Sequence, residues 1–387
     1  NFPSLLLLFV MFIGAIFLVP NGVEGRVQRV ANFDFAVFFA IAVFVLLRIN
    51  LFLGLVLIHV AGWIALGSMP LETLYLILAC TLVYIYVCVQ GVNREWIYNF
   101  ICVVALLNVL WQILQIFGIY WIVYPPHMHE TIYVGLMGNP NDTSAMLAIC
   151  LPAFFRGKWK WGIPVILLGL ILAKAMVGCV AVGVVGLTFL RFDKKSLVLL
   201  LVIIVCVFSF AKYEGFSLKG QLADRGTIWK DSVTFAKEKP FGWGFGQYRF
   251  IMPLMKSYNK LSDTSKKVLY EGIRDKEGFK AVITKINKEN PGYFKGSNYQ
   301  SLWTRAHNEF IEVYFALGII GLILCLALAG SHLIAGWRMV DKIPFRGVVA
   351  SLTTATVFFS YHIMPLIIIT VVYMAFMGKN NDNFRKL

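Results

Sequence analysis

The chain has 387 residues, 59% of them hydrophobic and only 14% charged, with a formal net charge of +15. Soluble domains are about a quarter charged, so this deficit excludes an ordinary water-soluble protein and points to lipid as the main solvent. The positive charge is gathered in one loop and in the flanks of apolar runs, so nucleic acid is not an expected partner and the bilayer is.

The first apolar run, residues 4–20, has no basic stretch before it and no small-x-small cleavage site, so it reads as a retained helix rather than a signal peptide. A spanning helix needs about 20 mostly apolar residues. On that measure the chain predicts an all-α polytopic membrane protein of about twelve spans: 4–20, 33–49, 51–67, 72–90, 96–120, 141–155, 161–175, 178–191, 196–211, 308–330, 346–361 and 363–378. The domain plan is then 1–211 for spans one to nine, 212–306 for a large polar loop, and 307–387 for spans ten to twelve with a tail. The seven cysteines (Cys80, Cys88, Cys102, Cys150, Cys179, Cys206 and Cys325) all lie in apolar runs. That fits buried small hydrophobes, and neither a disulfide framework nor a zinc site.

Lysine and arginine in short loops set the orientation. With both termini in the cytoplasm, about fourteen fall inside, among them Arg94, Arg156, Lys158, Lys160, Arg338, Lys342 and Arg346, and only Arg26, Arg29 and Lys174 fall outside. The opposite orientation inverts the count. The loop 212–306 is thereby extracytoplasmic, and it holds about eighteen of the 35 basic residues. A long loop translocates regardless of charge, and one of this length is too long for a connector. Within it, Ile228, Trp229, Val233, Phe235 and Ala236 recur at helical spacing after Asp224, which reads as an N-cap region. Residues 264–289 have amphipathic helical spacing and end at an Asn290-Pro291-Gly292 turn.

Three stretches are richer in polar and glycine residues than packing in lipid requires. Gly138-Asn139-Pro140-Asn141-Asp142-Thr143-Ser144 opens span six, where Asn and Asp also suit a helix cap. Asp224 to Phe250 contains Arg225, Trp229 and the run Pro240-Phe241-Gly242-Trp243-Gly244-Phe245-Gly246. Those glycines follow a helix rather than a strand, which argues against a nucleotide loop. Arg305-Ala306-His307-Asn308-Glu309-Phe310-Ile311-Glu312 is where the loop re-enters the membrane. Ionisable groups heading a span are expensive unless they serve a purpose. Helical spacing places Asn308 over Glu312 and Arg305 over Glu309. A guanidinium grips diphosphate through paired donors, and histidine titrates near neutrality. His127 and His129 lack a third ligand for a metal. Asp34, His59, Lys174 and His362 lie in or near spans, where bundle-facing or snorkelling positions are expected of all but Lys174.

In this order the three stretches resemble the O-antigen ligase and O-antigen polymerase superfamily of membrane glycosyltransferases. The resemblance is carried by Gly138-Asn139-Pro140-Asn141 with Ala145, Leu147 and Leu151-Pro152, by Arg225, Trp229, Pro240, Gly242, Gly244 and Phe250, and by His307-Asn308, Ile311, Glu312, Gly318 and Gly321. It covers about 138–325, while the first five spans resemble the family in hydropathy alone.

The resemblance implies a helical fold of the C-type glycosyltransferase kind, no metal or other cofactor, and residence in a bacterial inner membrane. It implies transfer of a glycan from a polyprenyl diphosphate carrier to an acceptor hydroxyl at the outer face. Arg225 and His307 take the catalytic roles, Arg225 on the diphosphate and His307 at the acceptor, where Asn308 helps position it. The substrate-binding set is completed by Lys174, Arg305, Glu312, Asn139, Asn141 and Trp229. The chain departs from the family twice. Where Ser-Arg-Gly is common near the start of span eight, it has Met176-Val177-Gly178, and Lys174 stands one turn earlier. Where Glu is favoured before Gly318, it has Ala316. The ligase reading leads. Polymerase and protein O-oligosaccharyltransferase share its motifs, and a secondary transporter is the alternative of another class, although the halves of the chain show no repeat.

Overall fold

In a computed structural model, the described residues are 71–90, 92–119, 133–189, 218–244, 248, 252, 284, 288, 306, 308–357 and 364–378. Their regular structure is all helical: α1 Leu71–Gln90, α2 Arg94–Ile116, α3 Pro140–Phe154, α4 Gly162–Ala173, α5 Met176–Leu187, α6 Leu218–Glu238, α7 Glu309–Arg338, α8 Ile343–Val357 and α9 Met364–Gly378. Short 3-10 turns at Gly135–Met137 and Gly157–Trp161 precede α3 and α4. The expected spans 4–20, 33–49, 51–67 and 196–211, and the loop helix at 264–289, lie outside the described residues apart from Thr284 and Lys288.

Among the described helices, α2 with 23 residues and α7 with 30 are long and apolar enough to cross a membrane. The helices α4 and α5 have 12 residues each. At 1.5 Å per residue they reach roughly 18 Å, short of the ~30 Å hydrocarbon core. A helix of that length can still be buried by its neighbours, and the described chain is arranged accordingly.

One compact unit gathers the described residues from Cys80 to Gly220 and from Ser331 onward. Its centre is α3, buried without a break from Thr143 to Phe154 and packed against α2, α4, α5, α8 and α9. Its small residues Ala145, Ala148, Cys150 and Ala153 let neighbours approach on every side. The closest approach is to α5, where a Cβ on Gly178 would lie 2.5 Å from the Ser144 carbonyl oxygen. Asn93 starts α2 by accepting the Glu95 N–H at 2.9 Å. Asn139 starts α3 likewise, with Pro140 in the first turn.

The ends of this unit differ in chemistry. At one end α2 begins, the α3–α4 turn passes, and α7 hands over to α8. Arg156 lies 3.8 Å from Glu95 and 3.7 Å from Asp341, the Tyr98 hydroxyl donates to Asp341 at 2.9 Å, and Trp159 donates to Asn99 at 2.6 Å. At the other end, amides of α2 bond the backbone at Tyr133, Gly135, Leu136 and Gly169.

The second unit gathers the described residues between Gln221 and Gly330, with the start of α1. Here the sequence reading of Asp224 as an N-cap region is corrected. The helix already runs from Leu218, so Asp224 lies inside it. Capping side chains mark a helix start only when no helix-forming residues precede them, and Leu218, Leu222 and Ala223 extend α6 upstream.

Candidate functional site

In the second unit, α6 presents Arg225 and Trp229 one helical turn apart, hence on one face. Trp229 is half-buried, and its indole Nε1–H donates to the Ala306 carbonyl at 2.9 Å. Ala306 is buried, and its own N–H donates to Glu312 Oε2 at 3.3 Å. Both polar groups of this peptide position are therefore held by side chains, one from α6 and one from α7. Two residues on, Asn308 caps α7: its Oδ1 accepts the Ile311 N–H at 3.1 Å, and its carbonyl accepts the Glu312 N–H at 3.0 Å. Ala306 and Asn308 flank His307 in the chain, so the backbone on either side of the histidine is fixed. His307 and Arg305 lie outside the described residues.

Behind this segment sits an aromatic and glycine packing unit. Tyr248 shares a 2.7 Å hydrogen bond with Ser232 of α6, and its ring meets Phe315 edge-on at 5.0 Å. Trp243 stacks on Phe315 at 5.9 Å and donates from Nε1 to the Phe235 carbonyl at 3.0 Å. The loop 240–244 and the α7 backbone are hydrogen-bonded directly: Trp243 N–H to Phe315 O, Gly244 N–H to Ala316 O, and Ile319 N–H to Pro240 O, each at 2.9 Å. The α7 residue facing this loop is Gly318, whose φ of 70° and ψ of −169° break the helix there. Carbonyls freed by the kink become acceptors for the loop, which is how an extended segment joins a helix without orphaned backbone groups. Residues 240–244 are thereby folded tightly against the α7 backbone.

The electrostatics follow from burial. Desolvation lowers the pKa of the Arg225 guanidinium from its ordinary value, as it does for Lys239. A guanidinium so lowered remains charged at any physiological pH, and a partly dehydrated cation gains more from an anionic ligand than one in bulk water. Glu309 and Glu312 at the head of α7 are both buried.

The remaining predicted site residues stand in the first unit. Asn139 Oδ1 accepts the Asn141 N–H at 2.9 Å, the Asn141 carbonyl accepts from Ser144 at 3.0 Å, and Ser144 Oγ accepts the Gly178 N–H of α5 at 3.3 Å. Around this corner, α2 supplies a row of buried amides that sequence reading missed. Asn108 accepts the Leu136 N–H at 2.8 Å, Gln112 donates to Tyr133 and Gly169 carbonyls at 2.9 and 3.0 Å, and Gln115 exchanges bonds with Gly135. The spacing of 108, 112 and 115 on one face of a predicted span was the available signal. Lys174 closes α4 in the left-handed region at φ 49°, the one non-glycine with positive φ among the described residues. Such a backbone costs on the order of 1–2 kcal/mol, and a cation there suits the negative end of the helix dipole. Among the described residues no three His, Cys, Asp or Glu side chains gather as a metal site.

The family model described as O-Antigen ligase matches residues 143–326. The match takes in Lys174, Arg225, Trp229, Arg305, His307, Asn308 and Glu312, and begins just after Asn139 and Asn141. No curated protein matches the chain.

Proposed function

We propose a reaction for this chain, which belongs to the O-antigen ligase and polymerase superfamily of membrane glycosyltransferases: it moves a glycan from a polyprenyl diphosphate carrier to an acceptor hydroxyl at the outer face of the cytoplasmic membrane. The observation that carries the reading is the double hold on Ala306. It ties the helix bearing Arg225 to the residue before His307, within the stretch matched to O-antigen ligase.

The chemistry needs three things of the protein. The acceptor oxygen forms a bond to the anomeric carbon of the donor sugar while the bond from that carbon to the diphosphate oxygen breaks. The electron pair leaves with the diphosphate, and Arg225, partly desolvated, stabilises the charge that develops there. The acceptor proton passes to His307, whose ordinary pKa near neutrality suits a base that must be regenerated at each turnover. Diphosphate is already a good leaving group, so positioning is the larger share of the work. The fixed backbone at Ala306 and Asn308 supplies positioning. In this reading Trp229, Asn308 and Glu312 act through the backbone they hold. Asn139 and Asn141 shape the start of α3, and Lys174 adds a cation to the same unit as that helix.

The test is transfer by the purified chain, with a polyprenyl-diphosphate glycan and candidate acceptors, followed as release of polyprenyl diphosphate. Loss of release in Arg225→Ala and His307→Ala is expected. Full activity in both variants would sink the proposal. The acceptor that turns over separates ligation to a lipid-linked core from polymerisation or protein glycosylation.

A further inference from the structure

We propose that the basic end of the first unit is a docking surface for anionic phospholipid headgroups, read by Lys158, Lys160, Arg338 and Arg346 with Trp161 and Trp337 seated in the lipid beside them.

The charge at this end is unbalanced in a specific way. Its described carboxylates are Glu95 and Asp341, and Arg156 reaches both. Among the described residues, Lys158, Lys160 and Arg338 meet no carboxylate, and all three are exposed. Arg346 is held rather than loose: its Nε donates to Thr188 at 3.2 Å and its guanidinium lies 3.3 Å from the Phe189 ring centroid. That fixes the plane of the fork, which is the arrangement that suits a phosphate. Packing fixes the rim as well, since Arg156 joins the start of α2 to the α3–α4 turn and the α7–α8 turn, while Arg346 joins α8 to the end of α5.

The apolar half of the recognition is present at the same end. Trp161 is 62% exposed and Trp337 66% exposed. Trp337 is not idle, because it meets Phe345 edge-on at 5.6 Å and carries the Lys342 ammonium 5.3 Å above its ring. Exposed tryptophans beside lysines are what the headgroup layer of a bilayer selects, indole in the ester region and cation at the phosphate. This is also the end that the lysine and arginine count assigns to the cytoplasm, where the leaflet is anionic. A soluble polyanion matches the charges but leaves both indoles in water, so the lipid is the better fit.

The experiment offers the full chain in detergent equal amounts of phosphatidylglycerol and phosphatidylcholine with matched acyl chains. The ratio retained is read by native mass spectrometry. Phosphatidylglycerol should be retained several-fold over phosphatidylcholine, and the preference should shrink as salt rises. Each charge removed in Lys158→Gln, Lys160→Gln and Arg338→Gln should lower the preference by up to about fivefold. These side chains are exposed, so the variants should fold as the parent does. Equal retention of the two lipids overturns the proposal. So does a preference undiminished in the triple variant, because three of the four proposed cations then contribute nothing to it. Competition by glycerol phosphate at the same concentration as the lipid would assign the surface to a soluble anion, and the proposal fails.

Discussion

Gly242 and Gly318 stand back to back: a Cβ on either would lie 2.7 Å from the backbone nitrogen of the other, and both have positive φ, 101° and 70°. Neither position has room or torsion for another residue. Gly242→Ala and Gly318→Ala should each destabilise the protein by roughly 3 kcal/mol, combining left-handed strain with overpacking. Since both break one contact, the double variant should cost much less than the sum. Thermal unfolding of the purified protein in detergent measures this. Strict additivity would mean that the two glycines act separately.

The hold on Ala306 predicts a graded series. Trp229→Phe keeps the ring and loses the bond from Nε1 to the Ala306 carbonyl. Glu312→Gln keeps an acceptor for the Ala306 N–H, whereas Glu312→Ala removes it. We expect kcat to fall about tenfold for Trp229→Phe, equivalent to about 1.4 kcal/mol of lost positioning, with donor KM little changed. Glu312→Gln should retain most activity and Glu312→Ala should not. A Glu312→Gln variant as inactive as Glu312→Ala would show that the negative charge, not the hydrogen bond, matters.

Much of this architecture is legible in the sequence because it rests on periodicity and charge. The ends expected for α3 and α9 fall within one residue of those observed, since Asn139-Pro140 caps one and the apolar run 363–378 bounds the other. The pairing of Gly242 with Gly318 was not legible. Nothing in the spacing says that a loop glycine and a helix glycine 76 positions later share one contact. The upstream start of α6 was missed because Asp224 resembles a cap and only helix-forming residues before it reveal that it is not. The chemistry of Arg225 and Asn308 singles them out in the sequence, and the structure adds that Asn308 caps α7. Trp229 is expected in the substrate-binding set, and its bond to the Ala306 carbonyl leaves no mark in the sequence because the partner lies 77 positions away.

Arg225 offers a test of fork against point charge. Its guanidinium is half-buried and its pKa is lowered by desolvation. Arg225→Lys keeps a cation but loses paired donors. The expected outcome is partial activity, with a donor KM raised about tenfold and the acceptor KM unchanged. Arg225→Ala should lose transfer almost entirely. Equal loss in both variants with Tm retained would show that a cation without paired donors has no value there, and a lowered Tm in both would assign the arginine a structural duty.

Tyr248 gives the pH dependence. Burial raises its phenol pKa, Ser232 hydrogen bonding opposes this, and the nearby Glu312 and Asp231 charges raise it further. The folded state therefore keeps the proton at pH values where the unfolded chain, with its ordinary pKa of about 10, releases it. The unfolded state binds fewer protons above that pH, so this group's contribution to stability is intact below about pH 10 and declines as pH rises beyond it. Tyr248→Phe removes the titration and the 2.7 Å bond to Ser232, whose hydroxyl still donates to the Ile228 carbonyl at 2.6 Å. At pH 8 the variant should be less stable by about 1 kcal/mol. Between about pH 10 and 11 the difference should close by up to about 1.4 kcal/mol, because only the parent loses stability through this group. Melting curves of parent and variant that stay parallel across that range would show that Tyr248 is not held neutral by the fold.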